Sequence, residues 1–215
     1  MREQTIAHIL DKKLIAIVRK LPGEHIIALG EALQAGGIEL IEVTFDPQNP
    51  NDWHETLDSI QALRRRFGET MRVGAGTVLT ESQVDMACDA GALYIVSPNA
   101  DARVITRARA RGLASLPGCM TPSEMMSAHE AGADFIKVFP AGVLGPAYIK
   151  AVRAPLSHLR LLAVGGVNEK NAADFIHAGC CGLGVGGNLV DKRLVASGAL
   201  QSIAALARAY VSAVC

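Results

Sequence analysis

The sequence contains few aromatic residues and no excess of either charge. Aromatic side chains make up 4% of its 215 residues, whereas half of the residues are hydrophobic, so the sequence predicts a large aliphatic core. The formal net charge is zero, which gives no electrostatic reason to expect a nucleic-acid or anionic-membrane partner. The N-terminal segment MREQTIAHILDKK lacks an apolar signal core, and no apolar run approaches the roughly 20 residues that a membrane span requires.

Paired cysteines and paired histidines are also missing. The five cysteines are odd in number and form no CxxC pair, so we expect small buried apolar residues in a reducing cytoplasm rather than a disulfide framework. The six histidines show no HxxxH or HxH spacing, which is the spacing expected of metal ligands on one helix or strand. The sequence therefore predicts no metal site and no cofactor.

Short β-branched runs alternate with amphipathic, helix-like segments along the whole chain. Several of those segments end in glycine (QAGG, DAGA, EAGA, HAGC) directly before a strand, as a left-handed helix C-cap requires. Eight βα units without a linker predict a single-domain α/β fold over residues 1–215, a (β/α)8 TIM barrel, with an open doubly wound sheet as the alternative. The predicted strands are Leu14–Arg19, Glu39–Thr44, Arg72–Gly76, Leu93–Pro98, Leu113–Pro117, Asp134–Phe139, Arg160–Val164 and Cys181–Gly186.

The segment FIKVFPA places a lysine at the centre of an apolar strand. Because side chains alternate between the two faces of a strand, Lys137 shares a face with Phe135 and Phe139, while the branched residues of the other face suit the helix layer. Lys137 is then directed into the barrel, where desolvation lowers the pKa of an amine and makes it a nucleophile. A structural ion pair, or a lysine reaching out of the barrel mouth, is the alternative.

The same alternation directs Glu42 of ELIEVTF into the barrel and puts Arg19 in phase with the inward residues of the first strand. Thr77 is in phase with Val73 and Ala75 on the third strand. Active sites of this fold lie at the carboxyl ends of the strands, so these side chains form one candidate site. An amine that forms an imine with a ketone needs a carboxylate to move protons, which is the role that Glu42 suits. Glu42 could instead be only the ion-pair partner of Lys137.

Two glycine pairs follow the last two strands. Gly165 and Gly166 in AVGGVN, and Gly186 and Gly187 in GVGGNLV, allow backbone N–H groups to face an anion at the usual phosphate site of this fold. The alternative is that these glycines only form tight turns. Pro98, in the segment SPN, is predicted to shape the pocket wall.

The ordered segments AIVR, EVT, GAGTVLT, SPN, PGCMTPSE, FIKVFPA, GPAYIKA, AVGGVN and GVGGNLV resemble the bacterial 2-keto-3-deoxy-6-phosphogluconate / 4-hydroxy-2-oxoglutarate aldolases and their 6-phosphogalactonate relatives. The resemblance covers nearly the whole chain. It implies a class I enzyme without a metal, with Lys137 as Schiff-base lysine and Glu42 as proton donor and acceptor. It implies Arg19 and Thr77 as ligands of the pyruvate half, the four glycines at the phosphate, and a homotrimer.

Two departures bear on the substrate. Gluconate-type members often have an arginine where this chain has Asp46, and they usually read PTGG where this chain reads AVGG with Val164. These features, together with Arg19, favour the 6-phosphogalactonate substrate over its gluconate epimer. Phe139 and Val164 complete the predicted substrate-binding residues. The rival functions are cleavage of 4-hydroxy-2-oxoglutarate as the main activity, a metal-dependent epimerase, for which paired inward histidines are lacking, and a non-catalytic phosphosugar-binding barrel.

Overall fold

The computed structural model describes residues 1–214, so that Cys215 lies outside the described residues. Nine β-strands alternate with ten α-helices along the described chain. The strands are β1 (Leu14–Val18), β2 (Leu40–Thr44), β3 (Arg72–Gly76), β4 (Tyr94–Val96), β5 (Ala114–Leu116), β6 (Gly118–Cys119), β7 (Ile136–Val138), β8 (Leu161–Val164) and β9 (Gly182–Val185). The helices are α1 (Arg2–Lys12), α2 (Ile26–Ala35), α3 (Trp53–Phe67), α4 (Glu81–Asp89), α5 (Ala102–Ala110), α6 (Pro122–Glu130), α7 (Ala141–Arg153), α8 (Ala172–His177), α9 (Lys192–Ala196) and α10 (Leu200–Val214), with short 3-10 turns at Gly23–His25 and Pro50–Asp52.

All strands are parallel and follow the order β5-β4-β3-β2-β1-β9-β8-β7-β6. The predicted fifth strand, Leu113–Pro117, is found as β5, and the chain continues after Pro117 into an additional short strand, β6, so the prediction of eight strands is wrong by one. Proline has no N–H to donate to a neighbouring strand, which separates β5 from β6. β5 pairs with β4, and β6 pairs with β7. The amide of Lys137 donates to the carbonyl of Pro117 at 2.9 Å. The single-domain (β/α)8 barrel is therefore confirmed, with its nine parallel strands in a nearly closed ring.

Two clusters of buried residues divide the barrel into an interior and a surrounding layer. The interior cluster includes Ile15, Leu40 and Phe135, whereas the layer between the strands and the outer helices includes Ile41 and Ile136. Neighbouring residues of one strand thus fall in different clusters, as alternation requires. The predicted orientation is confirmed for the strands that carry Glu42 and Lys137, whereas Arg19 lies directly after β1 and is exposed at the 190 Å³ cavity described below.

Helix α1 lies against the interior cluster and was not among the predicted elements. Its residues Ile6 and Ile9 are buried among the interior side chains Ile15, Leu93 and Leu162. These contacts lie at the amino ends of the strands, since Leu93 and Ile15 stand at the start of their strands. The helix therefore covers the end of the barrel that lies opposite the carboxyl ends.

The glycine helix ends are found as predicted. Gly37, Gly91, Gly132 and Gly179 have φ values of 90°, 96°, 98° and 109°, a region that glycine reaches without the steric cost that a Cβ brings. Helix α8 begins at Ala172. The side-chain oxygen of Asn168 accepts from the amides of Lys170 and Asn171, and so closes a turn before the helix.

Candidate active site

Lys137 lies in the middle of β7 and is buried, with 4% of its surface exposed. Its Nζ atom is 5.0 Å from the centroid of the Phe139 ring, within the range in which an aromatic face attracts a cation. All salt bridges found within residues 1–214 involve other side chains. The structural ion pair considered from the sequence is therefore not formed.

Glu42 is 2% exposed and lies on β2 beside Gly76 of β3. A Cβ added to Gly76 would stand 1.8 Å from Oε1 of Glu42 and 2.5 Å from its Cδ. Only a glycine leaves room for the carboxylate at this point of the barrel wall. The GAGT segment thus contributes a niche for Glu42.

The two buried groups influence each other through space. Burial lowers the pKa of Lys137, and the positive charge of Arg19 acts in the same direction, whereas the carboxylate of Glu42 opposes them. Burial raises the pKa of Glu42, and the charges of Lys137 and Arg19 oppose that rise. Both groups are thus shifted toward their neutral forms. Because the pKa of the carboxyl group rises and that of the amine falls, the two proton affinities are brought closer together, which favours proton transfer.

A cavity of about 190 Å³ lies at the carboxyl ends of β1, β8 and β9. Seven of the nine predicted substrate-binding residues line this cavity, and Thr77 and Pro98 do not. The full lining is Ile17, Arg19, Phe139, Val164, Gly165, Gly166, Val167, Gly184, Gly186, Gly187 and Asn188. Phe139 borders this cavity and also contacts Lys137. The ring of Phe139 therefore lies between the lysine and the cavity of the glycine loops.

The two glycine pairs of this cavity differ in their constraints. Gly165 and Gly166 have φ values of 86° and 80°, and Gly166 packs so closely on Gly142 that an added Cβ would lie 3.0 Å from its Cα. The amide of Gly142 donates to the carbonyl of Gly165 at 2.7 Å. Gly186 and Gly187, by contrast, have no atom within 4 Å of an added Cβ. Steric contact requires glycine in the first loop, and the second loop leaves open space.

Thr77 and Pro98 occupy two other carboxyl ends. Thr77 is half-buried with φ 55°, directly after β3. Val73 and Ala75 belong to the layer between strands and helices, so strand alternation would direct Thr77 to that layer and not inward. Thr77 has a left-handed backbone, however, and alternation no longer applies there because the strand has ended. Pro98 is half-buried, and its carbonyl oxygen would lie 2.4 Å from a Cβ at Gly118. Pro98 thus stands beside β6, and it is not among the residues that line the 190 Å³ cavity.

The protein-family model described as KDPG and KHG aldolase matches residues 6–206. The chain belongs to this aldolase family. It is 40% identical over 203 residues to the 2-dehydro-3-deoxy-6-phosphogalactonate aldolase of Escherichia coli, covering 94% of this chain and 96% of the relative. It is 32% identical over 210 residues to the 2-dehydro-3-deoxy-phosphogluconate aldolase of Treponema pallidum, covering 95% of each chain.

A solved structure extends the similarity to a trapped intermediate. The KDPG aldolase of Legionella pneumophila, with pyruvate captured at low pH as a covalent carbinolamine intermediate, matches with a TM-score of 0.85 and 25% identity. The match covers 95% of this chain and 97% of the relative. The barrel of this aldolase family is therefore shared throughout the described chain.

In this aldolase, Asp46 does not line the 190 Å³ cavity that contains Gly165, Gly166, Gly186 and Gly187, here called the glycine cavity. Its carboxylate pairs with Lys20 at 2.8 Å and accepts from the side chain of Asn49 at 2.9 Å. Asp46 lines a separate cavity of about 730 Å³, formed by the connections that follow β1 and β2. The aspartate is thus neutralised by a neighbouring lysine and lies outside the site that contains Arg19.

Sequence patterns did not indicate several residues of the site. Gly76 and Gly142 are required by contacts between different strands and loops, and Asn188 borders the cavity while its side chain donates to the carbonyl of Val167 at 2.8 Å. The double glycines were a usable signal for the loops, but no spacing rule pairs Gly76 with Glu42.

Within residues 1–214, no group of three or more His, Cys, Asp or Glu side chains is arranged to hold a metal ion, and none of the helices described there is long and apolar enough to cross a membrane.

Proposed function

We propose that this aldolase cleaves a 2-keto-3-deoxy-6-phospho sugar acid to pyruvate and glyceraldehyde 3-phosphate through a Schiff base on Lys137. The observation that carries the proposal is the buried amine of Lys137, whose pKa is lowered by burial and which lies 5.0 Å from the centroid of the Phe139 ring, a ring that lines the cavity of the glycine loops. The names of the two relatives support the substrate class.

The first step is attack of the neutral Lys137 amine on the C2 ketone. A carbinolamine forms, its hydroxyl group takes up a proton and leaves as water, and the resulting iminium ion withdraws electrons from the neighbouring bonds. Pyruvate held as a carbinolamine in the Legionella relative supports an amine nucleophile in this family. An ordinary lysine is protonated at neutral pH, so the lowered pKa of Lys137 is what makes the attack possible.

The second step breaks the bond between C3 and C4. Glu42 accepts the proton of the C4 hydroxyl group, the C3–C4 electron pair moves toward the iminium, and an enamine and an aldehyde result. Glu42 then returns a proton to C3, and water hydrolyses the imine to release pyruvate and regenerate the amine. A carboxyl group with a raised pKa suits both directions of this transfer.

The remaining side chains position the two ends of the substrate. We assign the phosphate to Gly165, Gly166, Gly186 and Gly187, since glycine loops let backbone N–H groups face an anion. Thr77 and Arg19 are assigned to the pyruvate half; because Arg19 also lines the cavity of the four glycines, its guanidinium is a ligand for either the carboxylate or the phosphate. Pro98, Phe139 and Val164 form the walls between the two ends.

The C4 configuration proposed for the preferred substrate is that of 6-phosphogalactonate. The identity is higher to the galactonate enzyme, at 40%, than to the gluconate enzyme, at 32%. Asp46 is paired with Lys20 instead of facing the site, so a gluconate-type carboxylate clamp at this position is not available. Cleavage of 4-hydroxy-2-oxoglutarate as the main activity is the second candidate, and it would leave the glycine cavity without a phosphate to bind.

The proposed cellular form is a single-domain catalytic barrel over residues 1–215 that assembles as a homotrimer in the cytoplasm. Its only proposed partners besides other copies of the chain are small molecules: no nucleic acid and no membrane takes part. The chemistry draws on an amine and a carboxyl group, so EDTA is expected to leave the cleavage rate unchanged.

The test of the nucleophile is borohydride reduction in the presence of pyruvate, followed by mass spectrometry. Wild type is expected to gain one covalent pyruvyl adduct on Lys137, and Lys137→Ala is expected to gain none while keeping its circular-dichroism spectrum. The matched control is Lys150→Ala, because Lys150 is exposed on α7 and lies outside the cavity. Trapping that persists in Lys137→Ala would refute the assignment.

The test of the proton shuttle is exchange of the pyruvate methyl protons with deuterated solvent. Borohydride is expected to trap pyruvate on Glu42→Gln, but this variant is expected to exchange the methyl protons of pyruvate about 10²–10⁴-fold more slowly, the usual contribution of a positioned general acid or base.

Cleavage assays on the two 6-phosphate epimers and on 4-hydroxy-2-oxoglutarate, side by side, decide the substrate. Faster turnover of the unphosphorylated acid would overturn the phosphosugar assignment.

A further inference from the structure

A buried tyrosine contacts the backbone that carries Glu42. Tyr94 lies on β4, is fully buried, and belongs to the interior cluster of the barrel. Its hydroxyl donates a hydrogen bond of 2.7 Å to the carbonyl oxygen of Ile41. That carbonyl belongs to the peptide group that joins Ile41 to Glu42, so the hydrogen bond holds the backbone on the amino side of the carboxylate residue.

The tyrosine reaches β2 by crossing over β3. Glu42 is in register with Gly74, and Gly74 is in register with Tyr94, so the three residues form one row across three strands. A Cβ added to Gly74 would lie 2.2 Å from the Tyr94 ring. The first glycine of GAGT therefore makes room for the ring, just as the second glycine makes room for the carboxylate.

We propose that Tyr94 is a positioning residue that sets Glu42 for proton transfer without touching the substrate. Two contacts fix Glu42: the niche at Gly76 constrains its carboxylate, and the Tyr94 hydroxyl constrains its peptide group. Proton transfer requires the carboxylate within hydrogen-bond reach of the reacting atom, and small displacements of such groups are costly. The proposal rests on the proton-shuttle role proposed for Glu42.

The electrostatic surroundings keep the tyrosine in the form that donates. Burial raises the pKa of Tyr94 well above its usual value, and the charge of Glu42 acts in the same direction. The hydroxyl is therefore protonated throughout the neutral range. A buried hydroxyl needs a partner, and the Ile41 carbonyl supplies it.

The test compares Tyr94→Phe with Tyr210→Phe. Tyr210 is an equally buried tyrosine on α10, in the layer between strands and helices, and its hydroxyl has no hydrogen-bond partner among the described residues, so Tyr210→Phe controls for removal of a buried hydroxyl group without loss of a hydrogen bond. In Tyr94→Phe, borohydride trapping of pyruvate is expected to stay within about twofold of wild type, whereas methyl-proton exchange falls about tenfold. Tyr210→Phe is expected to change neither rate. Equal losses of trapping and exchange in Tyr94→Phe would mean a purely structural role and overturn the proposal.

A double-variant cycle separates this proposal from the one on which it rests. In the Glu42→Gln background, Tyr94→Phe is expected to slow exchange no further, because the group that it positions is gone. Additive losses in the double variant would show that Tyr94 acts elsewhere and refute the positioning role. A failure of the shuttle itself appears in Glu42→Gln alone, as an unchanged exchange rate, and would remove the step that Tyr94 serves.

Discussion

Replacement of Gly76 by alanine tests the geometry of the site without removing any functional group. Gly76 ends strand β3 and does not adopt a left-handed backbone, so alanine is compatible with its conformation. The obstacle is Glu42, because the new Cβ would lie 1.8 Å from Oε1 and 2.5 Å from Cδ. The substitution therefore displaces the carboxylate while Lys137 and the glycine loops keep their chemistry.

The size of the effect follows from that contact. Real Cβ atoms essentially never come within 3.0 Å of such a neighbour, so the carboxylate must move by about 1.2 Å, and a misplacement of about 1 Å costs on the order of 10²-fold in rate. We expect pyruvate methyl-proton exchange in Gly76→Ala to fall by about 10²-fold. This loss equals the lower limit expected for Glu42→Gln, since the displaced carboxyl group is still present.

The assay is solvent-deuterium exchange into pyruvate, followed by NMR, with borohydride trapping as a parallel measure of imine formation. Trapping is expected to remain near the wild-type level, because Lys137 is on a different strand. Gly23→Ala is the matched control: Gly23 lies in a 3-10 turn, and the nearest atom to its added Cβ is Oγ of Ser59 at 3.9 Å. An exchange rate in Gly76→Ala within about twofold of wild type would refute the niche argument.

Three further predictions concern the substrate walls, the first glycine loop and the pH dependence of stability. Val164→Thr places a hydroxyl group on the buried cavity wall. It is expected to shift the ratio of kcat/KM for the two epimers toward the gluconate substrate by about tenfold, because a substrate hydroxyl buried against valine without a partner costs about 1–3 kcal/mol. Wild type is expected to favour the galactonate epimer, and a wild type that prefers the gluconate epimer, unchanged by the substitution, would contradict this. Gly166→Ala strains a backbone at φ 80° and meets Gly142, so KM for the phosphorylated substrate should rise while pyruvate exchange is unaffected; loss of both would contradict a phosphate role. Burial lowers the pKa of Lys137 below the value of 10.5 that the unfolded chain has. Between these two pKa values the unfolded chain binds a proton that the folded chain does not, so the free energy of unfolding of wild type relative to Lys137→Met should rise with pH across this window. Urea titrations at several pH values measure this difference, and a difference that does not change with pH would mean that the pKa is not lowered.

Local sequence patterns were sufficient for the barrel and for the orientation of its charged residues. The branched residues beside Lys137 and Glu42 on their strands fixed which side faces inward, and the structure confirms both. The short strand β6 after Pro117 was not predicted, because a proline lacks the N–H donor of a ladder and so marks the end of a strand in the sequence. Helix α1 was missed because its few apolar residues form a weak pattern until the barrel end is present to cover them.

The contacts that shape the site depend on pairing between strands, which local patterns do not encode. Gly74 and Gly76 are ordinary members of a strand until register places them beside Tyr94 and Glu42. Thr77 shows the opposite failure, since strict alternation groups it with residues of the helix-facing layer and only its left-handed backbone reveals that the strand has ended. The roles of Gly74, Gly76 and Thr77 depend on the distances between strands and on the backbone conformation, which the sequence pattern alone does not contain.

Closure of one end of the barrel by α1 has a kinetic consequence. Ile6 and Ile9 pack against the interior cluster at the amino ends of the strands, so we expect a substrate to enter and its products to leave at the opposite, carboxyl end. The pyruvate portion would be bound to Lys137 at depth, while the phosphate end lies at the rim. The aldehyde fragment must then depart before pyruvate can, so release is sequential, and free pyruvate should compete with the substrate whereas the aldehyde binds only after pyruvate has entered.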